Sequence, residues 1–217
     1  MTFDHPPLSA AVLAGGKSER MGRDKAFLPL WDDGPTMIEM VLDRLKGVAS
    51  DVMIIANDPE RYSSLGLRVE PDGYLGLGTL AGIHAALTTA RHDHCLVVAC
   101  DMPFLQPDFL RRMASEPRDY DIFIPQVPGE SRQGSSGVIY QTLHAIYGKG
   151  CLPAMERQLA SGQRQVIRFF PEVIVRVMEP REVERLDPTQ ISFFNANTPE
   201  AYSEARALAA REHLHHN

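Results

Sequence analysis

The chain has 217 residues, 44% of them hydrophobic and 23% charged, with a formal net charge of −6. Such a chain is long enough for one globular domain with a full core, and its negative balance argues against broad duplex nucleic-acid binding. A small anionic ligand is still admissible, because local positive charge matters more than the total.

Three cysteines without a C-x-x-C spacing argue against a disulfide framework and a structural zinc site, so reduced thiols in a cytoplasmic protein are expected. No apolar run approaches the length of a membrane span, and residues 1–7 lack the features of a signal peptide.

In chain order, Leu8 to Leu13 is an apolar run of one buried strand's length. It opens into Gly15-Gly16-Lys17-Ser18-Glu19-Arg20-Met21-Gly22-Arg23-Asp24-Lys25. Glycines let backbone N–H groups approach a phosphate closely, and Lys and Arg supply charge. It is not a P-loop, since Ala11 stands where that motif needs its first glycine, and no G-x-G-x-x-G occurs. A plain strand-to-helix turn explains the glycines but not the basic cluster.

Thr36 and Glu39 have capping-box spacing ahead of a helix that carries Met37, Met40, Val41, Leu45 and Val48 on one face. Asp51 to Ala56 and Leu67 to Glu70 read as strands, the first ending at Asn57-Asp58-Pro59. A glycine-rich loop from Pro71 follows, with Thr79 expected to cap an all-round apolar helix over Leu80 to Arg91. Cys95 to Cys100 is the most hydrophobic strand and ends at Asp101, before a helix over about 107–115.

Alternating strands and helices predict an α/β fold, a Rossmann-like three-layer α/β/α sandwich with a mostly parallel central sheet. Ligands of such sheets bind beyond the strand C-termini. The glycine loop, Asn57, Asp72 and Asp101 all fall there.

The second half gives a strand over Tyr120 to Pro125, a polar loop or hairpin from Gly129 to Ser136, and short strands at 137–140 and 143–147. A helix over Leu152 to Ala160, a half-exposed strand over Glu172 to Met178, and a last helix capped by Thr198 complete it, with a tail expected to fray. No repeat or linker marks a second domain. The cysteines are assigned to the core, and His92 and His94 to the surface.

Asp101 ends a fully apolar strand, where a carboxylate is costly unless paired or metal-bound. Mg²⁺ takes one or two carboxylates together with phosphate oxygens. A structural aspartate capping the next segment is the alternative. Asp72 can equally be a β-turn residue, and Asn57 can order its own turn or offer a donor and an acceptor to a base.

The pattern L-A-G-G-x-x-x-R-M-G-x-D-K over 13–25 resembles the nucleotidyltransferases, and most closely the molybdenum cofactor guanylyltransferases. Cys100-Asp101-Met102-Pro103-Phe104 is similar to that family's C-D-x-P-[FY] metal-binding segment, and Asp72 precedes a segment like its G-x-[GP]-x-L-A-G-I, with Thr79 in place of proline. Gln141-Thr142-Leu143-His144-Ala145 resembles Q-P-L-H-A, again with threonine for proline, and is followed by Y-x-x-x-C-L-P-A at Tyr147 to Ala154. Phe194-Asn195-Ala196-Asn197-Thr198-Pro199 resembles F-x-N-x-N-T-P.

The resemblance implies the nucleotide-diphospho-sugar transferase type of fold in a single domain over 1–217. Its nucleotide-binding half would span about 8–116, its acceptor half about 117–202, and a C-terminal helix and tail 198–217. It implies GTP held by Leu13, Ala14, Gly15, Gly16, Lys25, Asn57, Asp72 and Asp101. Lys25, Arg20 and Asp101 would carry the chemistry, with Asp101 on Mg²⁺. The other substrate would be a molybdopterin-type cofactor, whose side of the site would include Asn197. For His144, core packing is preferred to contact with the pterin phosphate, and for Asn195 a role in ordering the helix entry stays open. Acceptor molybdoenzymes or cofactor-biosynthesis proteins would be partners, with no nucleic acid and no membrane. CTP as donor, sugar-phosphate nucleotidyl transfer and a non-catalytic nucleotide sensor are the competing readings.

Overall fold

A computed structural model describes residues 5–14, 25–74, 76–130 and 136–216. The strands are β1 (Ser9–Leu13), β2 (Asp51–Ile55), β3 (Arg68–Glu70), β4 (His94–Ala99), β5 (Ile122–Glu130), β6 (Ser136–Tyr140), β7 (His144–Gly148) and β8 (Val175–Met178). The helices are α1 (Met37–Arg44), α2 (Thr79–Thr89), α3 (Pro107–Ala114), α4 (Leu152–Ala160), α5 (Pro180–Leu186) and α6 (Pro199–His216).

The strands form one sheet in the order β3-β2-β1-β4-β7-β5-β6, with β8 beside β5. Neighbours β3, β2, β1 and β4 are parallel, β7 runs against both β4 and β5, and β5 pairs in parallel with β8. Their apolar character on both faces has a direct cause: alternate side chains enter opposite layers. Ala10, Val12, Ile54, Leu96 and Val98 pack against α1, α3 and α5, while Ala11, Met53, Ile55, Cys95 and Val97 pack against α2 and α4. The three-layer expectation therefore stands.

Register fixes the rim. Leu13 pairs with both Ile55 and Ala99, and Ile55 pairs with Glu70, so four parallel strands end in one row. The opposite edge is closed by a buried carboxylate. Asp51 accepts hydrogen bonds from the Ser9 hydroxyl (2.7 Å), the Arg91 backbone N–H (3.0 Å) and the Arg68 guanidinium (3.0 Å), joining β1, β2, β3 and the turn before β4.

A third, smaller core lies outside the main layers. Leu30, Met37, Phe104 and Ala196 pack there against Ala205 and Ala209 of α6. The Tyr202 hydroxyl donates to the Pro29 carbonyl at 2.6 Å, and Arg44 pairs with Glu212 at 2.9 Å.

Several local expectations change. Thr36 and Glu39 do form a capping box, but Thr79 does not cap α2. The N-cap is Gly78, at φ 72°, a left-handed conformation that suits a residue without a Cβ. β5 runs well past Pro125 and pairs antiparallel with β6, the hairpin of the two alternatives for that stretch. The short helix α5 and the 3-10 turns Glu60–Leu65 and Val166–Glu172 were not expected. α5 buries a single residue, Val183, and so carries no periodic signal. His94 is half-buried, with Nε2 3.1 Å from the Tyr120 carbonyl, because the Tyr120 ring packs edge-on against it.

Candidate functional site

The exit of β1 is tied down by its neighbours. The Ala14 N–H donates to the Ile55 carbonyl at 3.0 Å, the Tyr62 hydroxyl donates to the Ala14 carbonyl at 2.8 Å, and the Cys100 N–H donates to the Leu13 carbonyl at 3.1 Å. Leu13 and Ala14 thus stand at the rim. Gly15, Gly16 and Arg20 lie outside the described residues.

Asp101 leaves β4 beside this exit. Its carboxylate accepts a hydrogen bond from Asn195 Nδ2 at 3.2 Å, and its carbonyl accepts one from the Ala196 N–H at 2.8 Å. A carboxylate only accepts, so the Asn195 amide nitrogen must face it. That leaves Asn195 Oδ1 buried and without a hydrogen-bond partner. Burial raises the Asp101 carboxyl above the usual range, while the Lys25 charge and the Asn195 hydrogen bond pull it back. Lys25 itself donates to the Asn197 carbonyl. Three distant segments, around 25, 101 and 195–197, therefore meet. Asn195 was the residue left to helix entry, and its contact with Asp101 is the larger finding. Asn197 takes part through its backbone, while Thr198 caps α6 through its hydroxyl, which accepts from the Ala201 N–H at 3.1 Å.

A second pair sits at the other end of the rim. Asn57 Nδ2 donates to Asp72 Oδ2 at 3.1 Å, and the Asp72 N–H donates to Asn57 Oδ1 at 2.9 Å. The Asn57 amide is thus largely spent on Asp72, whose Oδ1 is buried without a partner. Asp72 follows β3 and Asp101 follows β4, three strand spacings away in the sheet order, or about 14 Å. The rim offers an unpaired carboxylate oxygen at one end and a cation beside a carboxylate at the other.

His144 does not reach this rim: of the two roles open to it, pterin contact and core packing, the fold gives it the packing that was preferred. It pairs with Val98 inside the sheet and is fully buried. The rings of Phe193 and Phe109 lie 4.9 and 5.3 Å away, and neither imidazole nitrogen has a partner in normal geometry. Burial holds its pKa down to about 4, although Asp187 and the Ser192 backbone favour the charged form. Of the cysteines, Cys95 and Cys151 are buried and Cys100 is half-buried, and none forms a disulfide. Burial pushes the Cys151 thiol up to about 12, which leaves it inert as a nucleophile.

Among the described residues, no three His, Cys, Asp or Glu side chains cluster as a metal site. Among the described residues, a metal at Asp101 would find one carboxylate, its other ligands coming from phosphate and water. That arrangement suits Mg²⁺, and the orphaned Asn195 Oδ1 offers a further oxygen for a coordinated water. No described helix is long and apolar enough to cross a membrane.

A protein-family model described as the MobA-like NTP transferase domain matches residues 10–179. The chain belongs to this family. Among curated relatives of this MobA-like chain, the "Probable molybdenum cofactor guanylyltransferase" of Pelotomaculum thermopropionicum is 40% identical over 201 residues, covering 93% of each protein. The molybdenum cofactor guanylyltransferase of Desulfosudis oleivorans is 34% identical over 92% of this chain and 95% of its own. Among solved structures, the molybdopterin-guanine dinucleotide biosynthesis protein A of Archaeoglobus fulgidus superposes with a TM-score of 0.76. It is 27% identical, over 94% of this chain and 99% of its own. The MobA-like match takes in Leu13, Lys25, Asn57, Asp72 and Asp101 but stops short of Asn195 and Asn197.

Proposed function

We propose that this nucleotidyltransferase transfers GMP from GTP to the terminal phosphate of a molybdopterin-type cofactor. The names of its relatives support that substrate pair. The observation that carries the residue assignment is the convergence of Lys25, Asp101, Asn195 and Asn197 on one end of the rim.

In this reading the nucleoside end lies toward Asn57 and Asp72, and the polyphosphate toward Lys25 and Asp101. Leu13 and Ala14 lead into the phosphate loop that Gly15, Gly16 and Arg20 would complete. The acceptor half comprises residues from about 117 onward. An oxygen of the pterin phosphate attacks the α-phosphorus in line. The new P–O bond forms as the bond to the β-phosphate bridging oxygen breaks, and pyrophosphate leaves with the electron pair. The attacking phosphate is already ionised at neutral pH, so no general base is required. Lys25 takes up charge on the leaving group, Asp101 would hold Mg²⁺, and Asn195 fixes the Asp101 rotamer. Mg²⁺, when bound, supplies Lewis-acid stabilisation of the phosphoryl oxygens. Catalysis here is positioning and charge.

The test is incubation with molybdopterin and either labelled GTP or labelled CTP, following dinucleotide product and pyrophosphate. Product from GTP, lost in Lys25→Met, supports the reading. Product from CTP alone, or with a hexose phosphate and not with the pterin, overturns it.

A further inference from the structure

Asp187, at the end of α5, is 2% exposed. Its Oδ2 accepts from the Ser192 N–H at 2.8 Å, and its Oδ1 accepts from the Ile191 N–H and the Thr189 hydroxyl, each at 3.2 Å. Its own N–H donates to the Val183 carbonyl at 2.8 Å, and its carbonyl receives the Gln190 N–H at 2.9 Å. One carboxylate therefore organises a whole turn. That turn includes Gln190 at φ 53°, a left-handed conformation that a residue with a Cβ adopts only under constraint.

The turn has a second attachment. Ser192 is fully buried, and its hydroxyl accepts from the Gln106 N–H at 3.2 Å, just downstream of Asp101. Phe193 then packs edge-on against Phe109 of α3, with ring centres 5.6 Å apart. Two residues later Asn195 reaches the Asp101 carboxylate. The segment carrying Asn195 and the segment carrying Asp101 are zipped together from Ser192 forward, and Asp187 holds the start of the zip.

We propose that Asp187 is a positioning residue: by fixing the 189–193 turn it sets the reach of Asn195, and through Asn195 the orientation of the carboxylate that holds the metal. This rests on the reading of Asp101 as the Mg²⁺ ligand. Asp187 touches no substrate in this scheme and acts only through the turn.

Asp187→Ala, Asp187→Asn and Ser192→Ala would be compared with Asp101→Asn and with Asp51→Asn, a buried carboxylate at the far edge of the sheet. Mn²⁺ binding in the presence of GTP is read from the electron paramagnetic resonance signal of free Mn²⁺, beside steady-state kinetics and thermal melts. Asp187→Ala is expected to weaken Mn²⁺ binding about 10-fold or more and to lower kcat with little change in KM for GTP. Asp187→Asn, which keeps one acceptor, should fall between it and the wild type. Asp51→Asn should lose stability with unchanged Mn²⁺ affinity. Should Asp187→Ala fail to fold, Ser192→Ala removes only the Gln106 link and should weaken Mn²⁺ in the same direction. If Asp101→Asn abolishes Mn²⁺ binding while the Asp187 and Ser192 variants bind as the wild type does, the positioning role is overturned by itself. If Asp101→Asn still binds Mn²⁺ and turns over, the underlying metal assignment is what fails.

Discussion

Replacing Asp101 by asparagine should stabilise the free protein while destroying its activity. The Asp101 side chain is offered its own backbone N–H and the Asn195 amide, and sits beside the Lys25 charge. An asparagine can present its oxygen to the same donors, so the hydrogen bonding survives. What is lost is its charge assistance, about 1 kcal/mol each, and the attraction of Lys25. What is gained is release from burying an ion, whose effective cost is several kcal/mol. The direction of the Asp101 shift shows that burial outweighs the favourable contacts.

The sign follows from linkage. The folded-state pKa is raised, so ionisation is penalised in the fold. The penalty is absent below the unfolded-state pKa and complete above the folded-state one. At neutral pH the variant should therefore gain about 0.5–2 kcal/mol, or about 1–8 °C in Tm for a chain of this size. The difference should vanish as acid protonates the wild-type carboxyl. The assay is a pair of melts in chelator across pH, repeated with Mg²⁺ and GTP. Saturation at about 100 times Kd would stabilise the wild type by about 2.7 kcal/mol and leave the variant unmoved. Turnover should fall at least about 100-fold. A variant destabilised at neutral pH by more than about 1 kcal/mol would refute the reasoning, because Asp101 would then be a structural carboxylate of the kind whose hydrogen bonds hold a fold.

At the other edge the reverse holds. Burial opposes ionisation of Asp51, but the Arg91 N–H, the Ser9 hydroxyl and Arg68 together hold its carboxyl below the usual range. Asp51→Ala should cost about 3–5 kcal/mol in urea unfolding at neutral pH, with turnover per folded molecule retained. That contribution is present above the unfolded-state carboxylate pKa and disappears as pH falls through the lowered folded value. His144→Leu should change stability by less than about 1.5 kcal/mol at neutral pH. It should also remove part of the acid sensitivity, since the wild-type imidazole, held down to about 4 when folded, takes up its proton on unfolding as pH falls below 6.5. Unfolding free energies of the two proteins across that range check this, and an unchanged slope would show that His144 is not the group concerned.

The first half of the fold was legible because its strands are continuous apolar runs, and their polar ends mark the rim. The capping box at Thr36 and Glu39 was readable from spacing alone. What escaped was pairing across sequence distance. Asn57 reads as a free amide until Asp72 is seen to occupy it. Asn195 reads as helix-entry chemistry because an asparagine before Thr-Pro serves that purpose equally well, and only the fold brings it to Asp101. Asp187 gave no signal at all. A lone aspartate in a charged stretch looks solvated, yet the turn over 189–192 folds around its carboxylate and buries it. The strand expected to end at Pro125 runs on to Glu130, and Pro125 and Pro128 both sit in paired positions, opposite Met178 and Val138.

The third core has a bearing on how the protein comes into being during synthesis. Lys25 and Asn197 are 172 positions apart, and the packing around Leu30, Phe104 and Ala196 needs Ala205 and Ala209 from α6. A nascent chain can pair its first four parallel strands long before the ribosome reaches that helix. The reactive end of the rim arises only when the final segment emerges and folds back, so partly made chains would be folded over much of their length yet chemically silent.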